Sequence, residues 1–278
     1  MKRYGMVIDV DRCTGCFNCF LACRDEHAGN DHWPVAAAQP DGHTWINVRE
    51  SERGSHPKVK VSYVPVPCLQ CTDAPCMRAA SGGAMYRRPD GIVIIDPDQA
   101  AGQRDIVSAC PYGAVYWNEA ENLPQKCTFC AHLLDDGWKE PRCVESCPVQ
   151  ALVFGDLEDP RSDIARLSAD KPIEALAPEP AELPPVRYLG LPACFLAGEI
   201  VLGDKPEECP EGVAVRLRHG RQTLTASTDN YGDFEFNGLK ADTEYVLSIE
   251  HAGYAPRELG VHTGADPNVG TIVMERAA

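Results

Sequence analysis

A chain of 278 residues, 44% hydrophobic and 24% charged, has the apolar material for a real core and the length of about two domains. A formal charge of −15 argues against nucleic acid and anionic membranes as partners, and no run of about twenty apolar residues is available to span a bilayer. Fourteen cysteines in a chain this long fit metal ligation better than the disulfide framework of a small secreted domain.

Met6-Val7-Ile8-Asp9 reads as a strand running into a first ligand loop, Cys13-x2-Cys16-x2-Cys19-x3-Cys23, and Phe20 to His27 suits a short helix beside it. Residues 28–67 form a long insertion with Trp33 and Trp45, expected to pack over a metal site; insertions of this length tend to be functional or to face a partner. Cys68-x2-Cys71-x4-Cys76 follows, then a strand over Gly91 to Asp96, a short helix over Ile106 to Ala109, and Cys110-Pro111. The last ligand group is Cys127-x2-Cys130 with Cys143-x3-Cys147-Pro148.

Three closely spaced thiolates cap three corners of an iron–sulfur cube, and a distant Cys-Pro supplies the fourth; in two-cluster ferredoxins that fourth cysteine serves the other cluster. Applied here, the rule gives cluster A to Cys13, Cys16, Cys19 and Cys147, cluster B to Cys23, Cys127, Cys130 and Cys143, and cluster C to Cys68, Cys71, Cys76 and Cys110. A fourth set would need cysteine at 80, 100, 103 and 106, where Ala80, Ala100, Gln103 and Ile106 stand. All four ligands of one site are missing while the other twelve remain, so the pattern predicts three 4Fe–4S clusters and the loss of one site as a unit. Cys-x2-Cys pairs also signal zinc, but zinc requires neither the third cysteine three positions on nor the following proline.

Residues 1–155 therefore read as a ferredoxin-like domain of two repeats. Residues 156–192 carry prolines at 160, 172, 178, 180, 184, 185 and 192 and predict an extended arm across a surface, interrupted by a short helix over Ile164 to Leu167 that Ser162 can cap. From 193 to 278 the period changes to two: Val213, Val215 and Leu217, then Phe234 and Phe236, then Tyr245, Leu247 and Ile249 alternate with smaller or polar residues. With Asp229 to Asp233 and Asn237-Gly238 as turns, this predicts a small β-sandwich. Cys194 and Cys209 match no ligand spacing and read as buried free thiols, or as a disulfide if the protein leaves the cytoplasm.

No side chain has the setting of an acid–base or nucleophilic catalyst; His27, His32, His43, His56 and His132 are scattered among loops. His132, two residues after Cys130, is a candidate to orient ligands there. Arg104 and Lys126, beside ligand positions, could tune a redox potential or simply point to solvent. The start of the chain has neither an apolar signal core nor a twin-arginine pair, so a cytoplasmic location is expected, with co-export on a signal-bearing partner as the alternative.

The stretches Cys13-Thr14-Gly15-Cys16-Phe17-Asn18-Cys19, Cys110-Pro111-Tyr112-Gly113-Ala114, Lys126-Cys127-Thr128-Phe129-Cys130 and Phe154 to Ser162 resemble the iron–sulfur subunits of molybdopterin oxidoreductases of the dimethyl-sulfoxide-reductase family. Most members of that family carry four clusters. The missing set, together with Tyr116-Trp117-Asn118-Glu119 and Gln125 to Asp136, is similar to small subunits of the pyrogallol–phloroglucinol transhydroxylase type, which also lack one cluster and carry a C-terminal β-domain. Thr228 to Leu239 looks like a transthyretin-like or carboxypeptidase-regulatory-like sandwich.

The resemblance implies an α+β chain: a duplicated bacterial-ferredoxin-like cluster domain followed by a small transthyretin-like β-sandwich. It implies a non-catalytic electron-transfer subunit, paired as a heterodimer or a multiple of it with a large catalytic chain that holds molybdenum and molybdopterin guanine dinucleotide. The reaction implied is hydroxyl transfer between polyhydroxylated aromatics. Reductive dehydroxylation of catechols is one alternative, and a stand-alone polyferredoxin or redox sensor is another.

Overall fold

A computed structural model describes residues 2–170, 172–176, 182–265 and 268–277. The chain divides into two compact units, one of residues 1–50 and 62–191, the other of 51–61 and 192–278.

In the first unit, β1 (Tyr4–Asp9) leads into the first cysteine loop and α1 (Asn18–His27) leaves it. The insertion is not an irregular loop throughout. Its second half pairs as β2 (Ile46–Ser55) and β3 (Lys58–Pro67), a hairpin whose tip belongs to the second unit. Short elements then repeat: α2 (Pro75–Ala79), the hairpin β4 (Met85–Arg87) and β5 (Val93–Ile95), and α3 (Asp105–Ser108), followed by the hairpin β6 (Tyr116–Asn118) and β7 (Leu123–Gln125), α4 (Ala131–Asp135) and α5 (Arg142–Glu145). The unit closes with β8 (Leu152–Asp156), α6 (Asp163–Asp170) and β9 (Val186–Leu189).

β1 is the centre of a three-stranded sheet, antiparallel to β8 and parallel to β9. Its run of apolar residues is buried on both faces, which is why it does not alternate. Met6, Ile8, Trp45, Leu69, Ile92, Ile94, Phe129 and Tyr188 form one core with Cys19, Cys23, Cys68 and Cys143 among them. Burying each large apolar side chain stabilises by roughly 1.5–3 kcal/mol, so the core fixes the loops that carry the cysteines.

The proline-rich segment departs from a surface arm. α6 forms where expected, with Ser162 Oγ accepting from the Ala165 amide at 3.3 Å. Beyond Pro185, however, Val186, Tyr188 and Leu189 are buried in β9, and Tyr188 Oη donates to Pro65 O at 3.0 Å. Prolines end helices but tolerate the first positions of an edge strand, and the apolar residues after them decide the outcome. Pro178 and Pro180 lie outside the described residues.

The second unit contains β10 (Cys194–Leu202), β11 (Ala214–His219), β12 (Gln222–Ser227), β13 (Asp233–Leu239), β14 (Glu244–Glu250), β15 (Arg257–His262) and β16 (Asn268–Met274). They form two sheets, ordered β13-β10-β16 and β12-β11-β14-β15. Val213, Val215, Leu217, Phe234, Phe236, Tyr245, Leu247 and Ile249 meet in one core. Asp229 makes the expected turn, its Oδ1 accepting from the Tyr231 and Asp233 amides at 2.8 and 3.0 Å. Asn237-Gly238 is not a turn. β13 runs through it, with Gly238 at φ 69° where the β10–β13 register slips, because a left-handed glycine serves a bulge as well as a hairpin. Lys58 pairs with Asp233, and Lys60 reaches Glu235 at 2.6 Å. Cys194 and Cys209 are not joined by a disulfide; Cys194 is half-buried, and Cys209 is exposed rather than buried because it lies in the turn-rich stretch between β10 and β11.

Candidate iron–sulfur centres

The twelve ligand candidates gather into three nests. Cys13 and Cys19 are both pushed up, Cys19 to about 12, by burial first and then by Cys147 and Cys16. Cys71 is pushed up to about 12 and Cys76 to about 11, by burial and then by the thiolates of Cys68 and Cys110. Cys68, Cys71, Cys76 and Cys110 line one cavity. Cys127 and Cys143 are driven up by burial and by each other's group, which includes Cys23 and Cys130. Thiols so buried and so mutually repelling shed their protons only when cations arrive between them, and that donor set fits iron bound as a cluster.

The second nest adjoins both others. Cys143 of the second nest feels Cys19 of the first, and Cys127 of the second feels Cys68 of the third. The half-buried phenol of Tyr116 lies near thiols of both the second and the third nest: burial first, then Cys23, Cys127 and Cys110, push its pKa up.

Backbone conformation explains how short loops aim several sulfurs inward. The residue two places after Cys13, Cys68 and Cys127 is left-handed: Gly15 at φ 67°, Gln70 at 55° and Phe129 at 55°. Three places after each Cys-Pro cysteine the same happens, at Gly113 (φ 64°) and Gln150 (φ 51°). These reversals turn amides toward sulfur. Ala114 N donates to Cys110 Sγ at 3.4 Å, Ala151 N to Cys147 Sγ at 3.2 Å and Phe129 N to Cys127 Sγ at 3.4 Å. Hydrogen bonds to ligand sulfurs stabilise their negative charge and set the potential of a bound cluster.

The missing fourth set retains this backbone. Gly83, three places after Ala80, has φ 81°, and Gly102, two places after Ala100, has φ 77°. The side chains differ. Ala100 and Ile106 are fully buried with Ala84, Met85, Val93, Ile95 and Val115, and Ala80 packs against them. Gln103 faces Ser81 instead, accepting from its amide at 2.9 Å and donating to its carbonyl at 3.2 Å. Ala80, Ala100 and Ile106 thus lie in or against a small apolar core that also includes Cys76, and no sulfur is among the four residues at positions 80, 100, 103 and 106.

Trp45 is buried over the second nest, its ring centroid 4.4 Å from that of His27, and its backbone amide serves Cys23. Trp33 is half exposed and does not pack as expected. Arg104 is exposed, pairing with Glu119 at 2.8 Å. Lys126 is 2% exposed, and its Nζ donates to the carbonyls of Val93 and Cys127.

Three of the scattered histidines converge. His27 lies 5.2 Å from His32 and 5.3 Å from His132 between ring centroids, and His32 stacks on His132 at 3.7 Å. His132 bonds Glu26 at 2.9 Å, yet burial holds its pKa below the usual histidine value despite that carboxylate, so the contact is a hydrogen bond of a neutral ring. The signal in the sequence was spacing: His27 follows Cys23 by one helical turn, and His132 follows Cys130 by two residues, in the same predicted cluster.

A sequence family described as a 4Fe-4S dicluster domain matches residues 59–157. Over 262 residues the chain is 41% identical to the pyrogallol hydroxytransferase small subunit of Pelobacter acidigallici, covering 91% of this chain and 92% of that protein. It is 31% identical over 236 residues to the arsenate respiratory reductase iron–sulfur subunit of Shewanella, covering 67% of this chain and 96% of that one. Against the B polypeptide of the anaerobic dimethyl sulfoxide reductase of Escherichia coli it is 37% identical over 185 residues, 62% of this chain and 82% of that one.

Proposed function

The protein belongs to the iron–sulfur subunits of molybdopterin oxidoreductases of the dimethyl-sulfoxide-reductase family, and from that premise we propose that it conducts electrons through three 4Fe–4S clusters for a molybdenum-containing catalytic subunit. Cys13, Cys16, Cys19 and Cys147 hold cluster A; Cys23, Cys127, Cys130 and Cys143 hold cluster B; Cys68, Cys71, Cys76 and Cys110 hold cluster C. The observation that carries the count is the apolar filling around Ala100 and Ile106, beside three nests of four thiols each.

Bound clusters supply one-electron transfer. The protein holds them in series, donates amides to their sulfurs and excludes water with Trp45, Phe129 and Tyr116. The catalytic chemistry belongs to the larger partner, which carries molybdopterin guanine dinucleotide and pairs with this chain as a heterodimer. Hydroxyl transfer between polyhydroxylated aromatics is the reaction that the 41% identity over nine-tenths of the chain supports best. The clusters then set the oxidation state of the metal rather than feeding every turnover. Residues 193–278 act as a transthyretin-like sandwich that docks or stabilises. The complex works in the cytoplasm, where twelve thiols stay reduced; no helix among the described residues is long and apolar enough to cross a membrane.

Purification of the chain with its partner gives the test. About twelve irons per chain, and turnover sustained by a catalytic amount of polyphenol cosubstrate, are expected. About sixteen irons would overturn the cluster count, and an absolute requirement for external reductant would replace hydroxyl transfer with reductive dehydroxylation.

A further inference from the structure

The ammonium of Lys126 is buried without a carboxylate partner among the described residues. Among the described residues its hydrogen bonds go to the carbonyls of Val93 and Cys127. Carbonyl dipoles alone compensate a buried cation poorly, and an unpaired ammonium costs several kcal/mol to keep there. Negative charge must therefore lie nearby. Lys126 lines the cavity of Cys68, Cys71, Cys76 and Cys110. Through its backbone it adjoins Cys127 of the second nest. Arg104 adjoins Gln103 rather than a cysteine, and it is exposed and paired with Glu119.

We infer that Lys126 is the fixed counter-ion between the second and third nests, and that its charge raises the potential of the cluster held by Cys68, Cys71, Cys76 and Cys110. A reduced cluster carries one more negative charge than an oxidised one, so a nearby cation stabilises reduction, and it does so strongly where water is excluded. Lys126 is a positioning residue for charge, not a ligand. It makes the third cluster the place where an electron rests, and it eases transfer from the second by lowering the energy of the charge-separated pair. This inference rests on the three-cluster reading.

The test is a redox titration of the whole two-subunit complex followed by electron paramagnetic resonance, with Lys126→Met, Lys126→Gln and Lys126→Arg. The glutamine variant retains a donor for the Val93 and Cys127 carbonyls without the charge. In the neutral variants the reduced-to-oxidised ratio of one cluster at fixed ambient potential should fall at least tenfold, a downward shift of about 59 mV for one electron. Lys126→Arg should stay within about threefold of the unmodified complex, a smaller one-electron shift on the same scale. Loss of about four irons in both neutral variants, with retention in Lys126→Arg, would also support the assignment, since charge alone separates them. Unchanged potentials in an iron-replete neutral variant would overturn it, as would iron loss in all three variants, which would make the role one of packing. The iron content of the unmodified complex tests the cluster count separately: a full complement without a shift removes only Lys126.

Discussion

His27 holds its Nε2 3.7 Å from the Sγ of Cys130, from the last position of α1. The ring is buried, and its Nδ1 has no hydrogen-bond partner among the described residues. Burial first, then His132 and His32, push its pKa down from 6.5 to about 3. The folded ring therefore stays neutral while the unfolded one takes up a proton as the pH drops through 6.5. Between those values the unfolded state binds more protons, so the stability is fully present above pH 6.5 and is lost progressively toward pH 3. His27→Gln should flatten that loss by up to about 1.4 kcal/mol per pH unit below 6.5. Anaerobic denaturant unfolding at several pH values from about 7.5 to 5.5 measures it. An unchanged slope would locate the acid sensitivity in other groups.

Cys110 is the only ligand candidate between Cys76 and Cys127. Cys110→Ala should cost the third cluster and leave the other two, so that iron falls from about twelve to about eight per chain. Iron and sulfide quantification, with the loss of a single spectroscopic component, reads this out. Disturbance of all three clusters would mean that the nests do not assemble independently.

Ile106 is fully buried in an apolar core with Ala84, Val93, Ala100 and Val115. Ile106→Ala should destabilise the first unit by about 2–5 kcal/mol through lost transfer energy and an unfilled cavity. Cluster content in the folded fraction should stay unchanged. Thermal unfolding with parallel iron analysis tests both halves, and a cost under about 1 kcal/mol would mean that the site collapses freely around the smaller side chain.

Gln70 and Phe129 show that the left-handed position of the Cys-x2-Cys loop tolerates side chains. Gly15 cannot take one, because a Cβ there would stand 2.5 Å from the ring of Tyr63. Gly15→Ala should therefore displace the loop between Cys13 and Cys16 and make the first cluster labile. Gly15→Ala combined with Tyr63→Ala should restore it in part. Anaerobic chelator challenge followed by absorbance distinguishes the two, and equal lability of all clusters would refute this account.

Cysteine spacing made the metal chemistry legible because ligation constrains sequence more tightly than packing does. That positions 80, 100, 103 and 106 hold no cysteine was readable directly. Their packing was not: Ala100 and Ile106 join one apolar core beside the left-handed Gly83 and Gly102, a course that no local pattern specifies. The strands of the second unit followed from strict alternation at Val213 to Leu217 and Tyr245 to Ile249. The segment ending in β9 was misjudged because prolines dominate its composition, while the four residues that decide its fate pair with β1 from about 180 positions away. The histidine trio escaped because His32 comes from the insertion, whose course no local pattern specifies.

The hairpin of β2 and β3 contributes its base to one compact unit and its tip, residues 51–61, to the other. Cutting the gene at residue 192 would thus not liberate two self-sufficient pieces. It would leave Lys58 and Lys60 without Asp233 and Glu235 and strip the C-terminal fragment of a stretch it needs. Anyone seeking the halves in isolation must transplant the tip or circularly rewire the chain, and natural reshuffling of the C-terminal module among relatives would face the same obstacle.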